Sequence, residues 1–158
     1  MTDHTAQHIK LPARRALRAA GWANISIAAA QGIGLIWAWS MFRAVGIEGD
    51  MRELATQDAA LPYILTLITC AAFAVFGLYG LSGAADLRRL PLLRTGLVSI
   101  SVIYVYRATL YGGIDAVVDG DGAQIVFAAI ALLIGMGYAY GAVAHCRPKP
   151  ATPTHAAQ

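Results

Sequence analysis

The chain has 158 residues, 58% of them hydrophobic and only 13% charged, with a net charge of +3 and a mean hydropathy of +0.56. Soluble domains carry about 25% charged residues, so this composition excludes an ordinary water-soluble globule and points to a bilayer. Nucleic-acid binding is excluded on the same grounds: the basic residues flank apolar runs, where membrane threading already accounts for them.

Residues 1–15 read as a loose basic tail. They lead into the first of four apolar runs, Gly21–Phe42, Leu61–Gly83, Leu92–Gly112 and Ala123–Ala144. Each holds about 20 residues or slightly more, the length that a helix rising 1.5 Å per residue needs to cross a ~30 Å hydrocarbon core. Strict alternation, the mark of a membrane strand, is absent. The expected fold class is therefore all-α: a single domain over residues 16–146, built as an antiparallel, up-down bundle of four transmembrane helices. A cleaved signal peptide fits poorly, because the first apolar run is longer than the usual 7–15 residues and no small-x-small site follows Phe42.

The first run carries a small-and-polar stripe at spacings of three and four: Gly21, Asn24, Ala28, Gln31, Gly34 and Ala38. These positions share one helical face. Small residues let helices approach, and amides bond across the contact, so the face is expected to turn into the bundle or an oligomer interface. Asn24 and Gln31 are also ligand- or ion-contact candidates, since an unpaired amide at that depth is costly. Trp37, Trp39 and Phe42 form an expected aromatic belt at the far end.

The loop that follows, "AVGIEGDMRELATQDAA", contains a segment suited to a short interfacial helix with a thin apolar face. Asp58 is placed to cap the second membrane helix, whose first turn accommodates Pro62. The second helix brings Gly77 and Gly83 as packing positions and ends in a short basic loop. "FGLYGLSGAADLRRLPLLRTG", Phe76 to Gly96, resembles small bacterial inner-membrane proteins with four predicted helices. That resemblance implies a bacterial cytoplasmic membrane and supplies no activity.

In the third helix, Ser101, Tyr104, Arg107 and Tyr111 fall on one face. Arg107 is about 7–8 Å below the boundary expected at Gly112. A charge within a membrane helix is a functional candidate. Tyr104, Arg107 and Tyr111 therefore join Asn24 and Gln31 as candidate contacts for a solute or anion, with a snorkelling anchor as the structural alternative. The loop after it, with Asp115, Asp119 and Asp121, reads as an acidic turn rather than a cation site. The fourth helix contains Gly137-x-x-x-Gly141, a close-packing motif, with Tyr138 and Tyr140 inside it. "FGLYGLSGA" and "IGMGYAYGA" are similar enough to suggest a parallel repeat of two hairpins. Residues 147–158, rich in Pro and Ala, read as a second loose tail.

Threading follows from the charges. Lys10, Arg14, Arg15, Arg18, Arg88, Arg89, Arg94, Arg147 and Lys149 fall on one side, Arg43 and Arg52 on the other. The positive-inside rule places both termini and the middle loop in the cytoplasm. No catalytic set, metal site or cofactor is expected: the histidines lie in tails or at a helix end, no Asp or Glu interrupts an apolar run, and Cys70 and Cys146 are on the order of 20 Å apart. The expectation is a non-enzymatic, multi-pass protein whose partners are the lipid bilayer and a second copy or another membrane protein. The alternative is a small channel or transporter with a polar path near Gln31 and Arg107.

Overall fold

The computed structural model describes residues 11–110, 114, 117, 118, 120 and 122–146. Among them there is helix and no strand. The elements are α1 (Leu11–Gly34), a 3-10 turn (Leu35–Trp37), α2 (Ala38–Ala44), α3 (Glu48–Gln57), α4 (Leu61–Gly83), α5 (Leu93–Thr109) and α6 (Gly122–Cys146). Three stretches are long and apolar enough to cross a membrane: Leu11–Ala44, Leu61–Gly83 and Gly122–His145. The third expected span, 92–112, is described as helix for 17 residues, with 111–113 outside the described residues.

α1 begins ten residues before the expected start at Gly21 and takes in residues 11–15, which read as tail. The reason is a second pattern beneath the hydropathy. Ala13, Leu17 and Ala20 extend the buried line of Gly21, Asn24 and Ala28, while Arg14, Arg15 and Arg18 occupy the other faces. Ala, Leu and Arg are all strong helix formers, so a basic start does not stop the helix. At the other end the helix breaks. Trp37 leaves helical geometry at φ −121°, ψ 48°, and Met41 folds back over Gly34, where a Cβ would collide with its side chain.

α2 and α3 form a small cap. Ala38, Phe42 and Met51 are buried together, with Trp39, Ile47 and Leu54 packed around them. Phe42 therefore faces inward instead of joining the exposed Trp37 in a belt. Asp58 Oδ1 accepts the Ala60 N–H at 2.8 Å, Pro62 lies in the first turn, and α4 follows. α4 ends in a Schellman motif: Ala85 N–H bonds the Ser82 carbonyl, Asp86 N–H bonds the Leu81 carbonyl, and Ala85 sits at φ +61°.

The main core joins all four long helices. It contains Leu17 and Ala20 of α1, Ala84 just beyond α4, Leu97, Ile100 and Tyr104 of α5, and Ile134, Tyr138 and Ala142 of α6. Contacts run in opposite senses along α1 and α4: Arg14 meets Ala84, Gly21 meets Gly77, and Ala28 meets Cys70. The closest approach is at Gly21, where an added Cβ would lie 3.0 Å from the Gly77 carbonyl. A Cβ on Gly80 would lie 2.8 Å from the Gly21 Cα, so three glycines set this crossing. Gly137 and Gly141 face Ala20 and Leu17, so this Gly-x-x-x-Gly pair packs within the chain. Gly83 also packs against Leu17.

Burial is uneven along the axis. In α6 every buried position lies from Ile134 onward, towards the end of the molecule that carries Arg14, Arg18 and Asp86. That end is the tightly packed one.

Candidate functional site

The polar centre of the molecule is built from one group on each long helix. Asn24 of α1 is fully buried. Its Nδ2 donates to the Ala20 carbonyl at 2.9 Å and to the Tyr138 hydroxyl of α6 at 3.2 Å. The Tyr104 hydroxyl of α5 donates to Asn24 Oδ1. The Tyr138 hydroxyl donates in turn to the Phe76 carbonyl of α4 at 2.6 Å. The Tyr104 and Tyr138 rings stack at 6.3 Å and 9°, and against Tyr104 Phe73 packs tilted and Phe76 edge-on.

Both protons of the Asn24 amide and both tyrosine hydroxyl protons are thus spent inside the protein. In a low-dielectric interior such a net is strong when every member is satisfied. What it does chemically is fix four helices in one register. It offers no unmet donor to a passing solute.

The structure brings Asn24 and Tyr104 together, as two of the five candidate contacts. Gln31 is two helical turns further along α1 and does not join them. Its Oε1 is buried without a hydrogen-bond partner among the described residues. Arg107 is exposed, and the buried line of α5 runs from Ser101 and Tyr104 to Ala108 instead. Tyr111, Asp115, Asp119 and Asp121 lie outside the described residues. Tyr138, the third member of the net, is one that the sequence places only as lining the bundle, together with Tyr140. Of the two tyrosines in "GYAYG", Tyr138 is fully buried and Tyr140 is 47% exposed.

Two charged clusters close the ends. At one end Arg14 Nε donates to the Ala84 carbonyl at 2.7 Å, and its guanidinium reaches Asp86 at 3.3 Å. Arg18 holds both oxygens of the same carboxylate. The hydrogen bonds from Arg18, the largest influence, hold the Asp86 carboxyl below its usual range; desolvation opposes this, and the Arg14 hydrogen bond adds to the lowering. Near these groups Ser82 Oγ donates to the Arg88 carbonyl and accepts the Leu90 N–H, and His145 Nε2 donates to the Gly83 carbonyl at 3.1 Å. At the other end Glu48 accepts from Arg43 at 2.9 and 3.1 Å and from Arg52 at 2.7 and 3.2 Å. Those bonds, Arg43 first, bring its carboxyl down to about 2. The Arg52 guanidinium also lies 5.2 Å over the Trp39 ring.

Among the described residues no three His, Cys, Asp or Glu side chains gather as metal ligands would. Cys70 is a free thiol whose Sγ lies 3.0 Å from the Ala28 carbonyl, an α1–α4 contact. No family model, curated protein or solved structure matches the chain.

Proposed function

We propose that the chain is a multi-pass protein of a bacterial cytoplasmic membrane, a four-helix up-down bundle with both termini on the cytoplasmic side. Its work is to pack, with itself or as an accessory subunit of a larger membrane complex, rather than to catalyse. The observation that carries this reading is the closed net of Asn24, Tyr104, Tyr138 and the Phe76 carbonyl. The most polar point of the interior is saturated by the protein's own groups, which is how a scaffold is built and not how a conduit is lined. The charges support the orientation: Arg14, Arg18 and the Arg88–Arg89 loop cluster at one end, and Glu48, Asp50 and Glu53 accompany Arg43 and Arg52 at the other.

Purification of the full chain in mild detergent is expected to recover a stable oligomer or a co-purifying membrane partner; a lone monomer counts against the accessory role. Orientation is checked by cysteine labelling in intact cells, where Thr56→Cys is expected to react with an impermeant reagent and Arg88→Cys only after lysis. The transport alternative draws on one observation, the unpartnered Oε1 of Gln31. It is tested by solute flux in liposomes, comparing wild type with Gln31→Ala and Arg107→Ala. Equal flux in all three removes it.

A further inference from the structure

A groove runs between α1, α4 and the turn after α4, lined by Arg18, Trp22, Ile25, Leu78, Asp86 and Leu87. Arg18, Trp22 and Ile25 are four and then three residues apart, on one face of α1. The charged pair, Arg18 and Asp86, stands at one end of the groove. Trp22, Ile25 and Leu78 continue it towards the middle of the helices. Trp22, Leu78 and Leu87 are exposed. The groove is thus charged at its mouth and apolar along its length, which is the profile of an amphiphile.

At the mouth two guanidinium groups share one carboxylate. Arg14 reaches Asp86 at 3.3 Å and Arg18 holds both of its oxygens, so the three groups together carry one positive charge in excess. Among the described residues Asp86 is the only acid at this end; Glu48, Asp50, Glu53 and Asp58 belong to the other. Arg14 also spends its Nε on the Ala84 carbonyl. Arg18 spends its Nε and Nη2 on Asp86, and its Nη1 makes no hydrogen bond among the described residues. Its side chain is 48% exposed, and it is the arginine of the cluster that lines the groove. The excess charge is therefore presented where the apolar channel begins.

We infer that this groove binds one anionic phospholipid: the phosphate accepts hydrogen bonds from Arg18 Nη1, the glycerol lies against the Trp22 ring, and an acyl chain lies along Ile25 and Leu78. This rests on the membrane reading above and on its cytoplasmic placement of this end, the side where anionic headgroups meet basic pockets between helices. Charge complementarity selects the occupant. A free anion uses Arg18 and leaves Trp22 and Leu78 uncovered. A zwitterionic lipid brings a cation of its own and leaves the excess charge in place.

The test uses the full-length chain, purified in zwitterionic detergent and exposed to an equimolar mixture of phosphatidylglycerol and phosphatidylcholine. Retained lipid is counted by native mass spectrometry. Wild type is expected to retain phosphatidylglycerol preferentially, with the preference falling about fivefold in Arg18→Gln. Arg18→Lys, which keeps the charge, is expected to keep most of it. Asp86→Asn removes the competing carboxylate and is expected to hold or raise the preference. A purely structural ion pair predicts the opposite, a fall in both Arg18→Gln and Asp86→Asn, and that result overturns the site. Equal retention of the two lipids by wild type, or an unchanged preference in Arg18→Gln, also overturns it. Full competition by inorganic phosphate at matched concentration overturns the lipid assignment. Alkaline washing of membranes from the same cells keeps the two readings apart: wash-out overturns the membrane reading and this site with it, whereas retention without lipid preference overturns the site alone.

Discussion

Asn24 is the residue on which the interior turns, because its amide links hydroxyls that arrive from two other helices. Asn24→Ala leaves the Tyr104 hydroxyl without its acceptor, and an orphaned buried group costs about 1–3 kcal/mol. Tyr104→Phe orphans only the Asn24 Oδ1 acceptor and leaves the Asn24–Tyr138 bond in place, so its cost is expected to be smaller. A double-mutant cycle on Asn24→Ala and Tyr104→Phe, read from unfolding in mixed detergent, is expected to give a coupling of about 0.6–1.7 kcal/mol. Additivity within error would show that the hydrogen bond contributes nothing measurable. Tyr138→Phe breaks two links, to Asn24 and to the Phe76 carbonyl, and is expected to cost more than Tyr104→Phe.

At the scale of elements, the α1–α4 crossing and the end of α4 make opposite predictions for single methyl groups. Gly80→Ala places a Cβ 2.8 Å from backbone at Gly21. Backbone cannot rotate away, so a loss of about 1–3 kcal/mol is expected. Ala85→Gly works in the other direction. Ala85 holds the left-handed position of a Schellman motif at φ +61°, where a Cβ costs roughly 1–2 kcal/mol and glycine costs almost none. That variant is expected to raise the midpoint of thermal unfolding in detergent. Much of this level was legible beforehand. Spacing alone placed Gly21, Asn24, Ala28, Gln31, Gly34 and Ala38 on one face of the first apolar run; Gly21, Asn24 and Ala28 are buried in α1 and Ala38 in α2, while Gln31 and Gly34 are half-buried. The start of α1 was not legible, because hydropathy stops at the first arginine while helix propensity continues through it. Nor was the inward turn of Phe42, which depends on the break at Trp37 and on Met51 meeting it from α3. Tyr138 and Tyr140 are two residues apart in one apolar helix, and the choice between them is made by Asn24, 114 positions away.

Each end of the molecule carries an arginine-paired carboxylate held below its ordinary range. In the unfolded chain Glu48 and Asp86 bind protons near the ordinary carboxylate values, about 4. In the folded chain Glu48 does so only at about 2, and Asp86 is shifted in the same direction. The unfolded state therefore holds more protons in that window, so stability rises with pH through it and is lost as pH falls. Unfolding midpoints are expected to decline through this window as pH falls below about 4. Both clusters are exposed to solvent, so the decline should be modest, and it should shrink in a Glu48→Gln, Asp86→Asn variant. Sequence charge supplies an expectation for the orientation of these ends, but the partnership of Arg14 and Arg18 with Asp86, across about 70 residues, is a product of folding. The central net carries a further consequence, one of timing. Its groups are made in the order Asn24, Phe76, Tyr104, Tyr138, so during synthesis the amide of α1 waits for the last helix. A chain stopped after Thr109 keeps Tyr104 but lacks Tyr138, leaving one proton of the Asn24 amide unmatched in the apolar interior. Completion of the protein is thereby written into one asparagine, and a pulse-chase half-life for that shortened chain is expected to be well below that of full-length Tyr138→Phe.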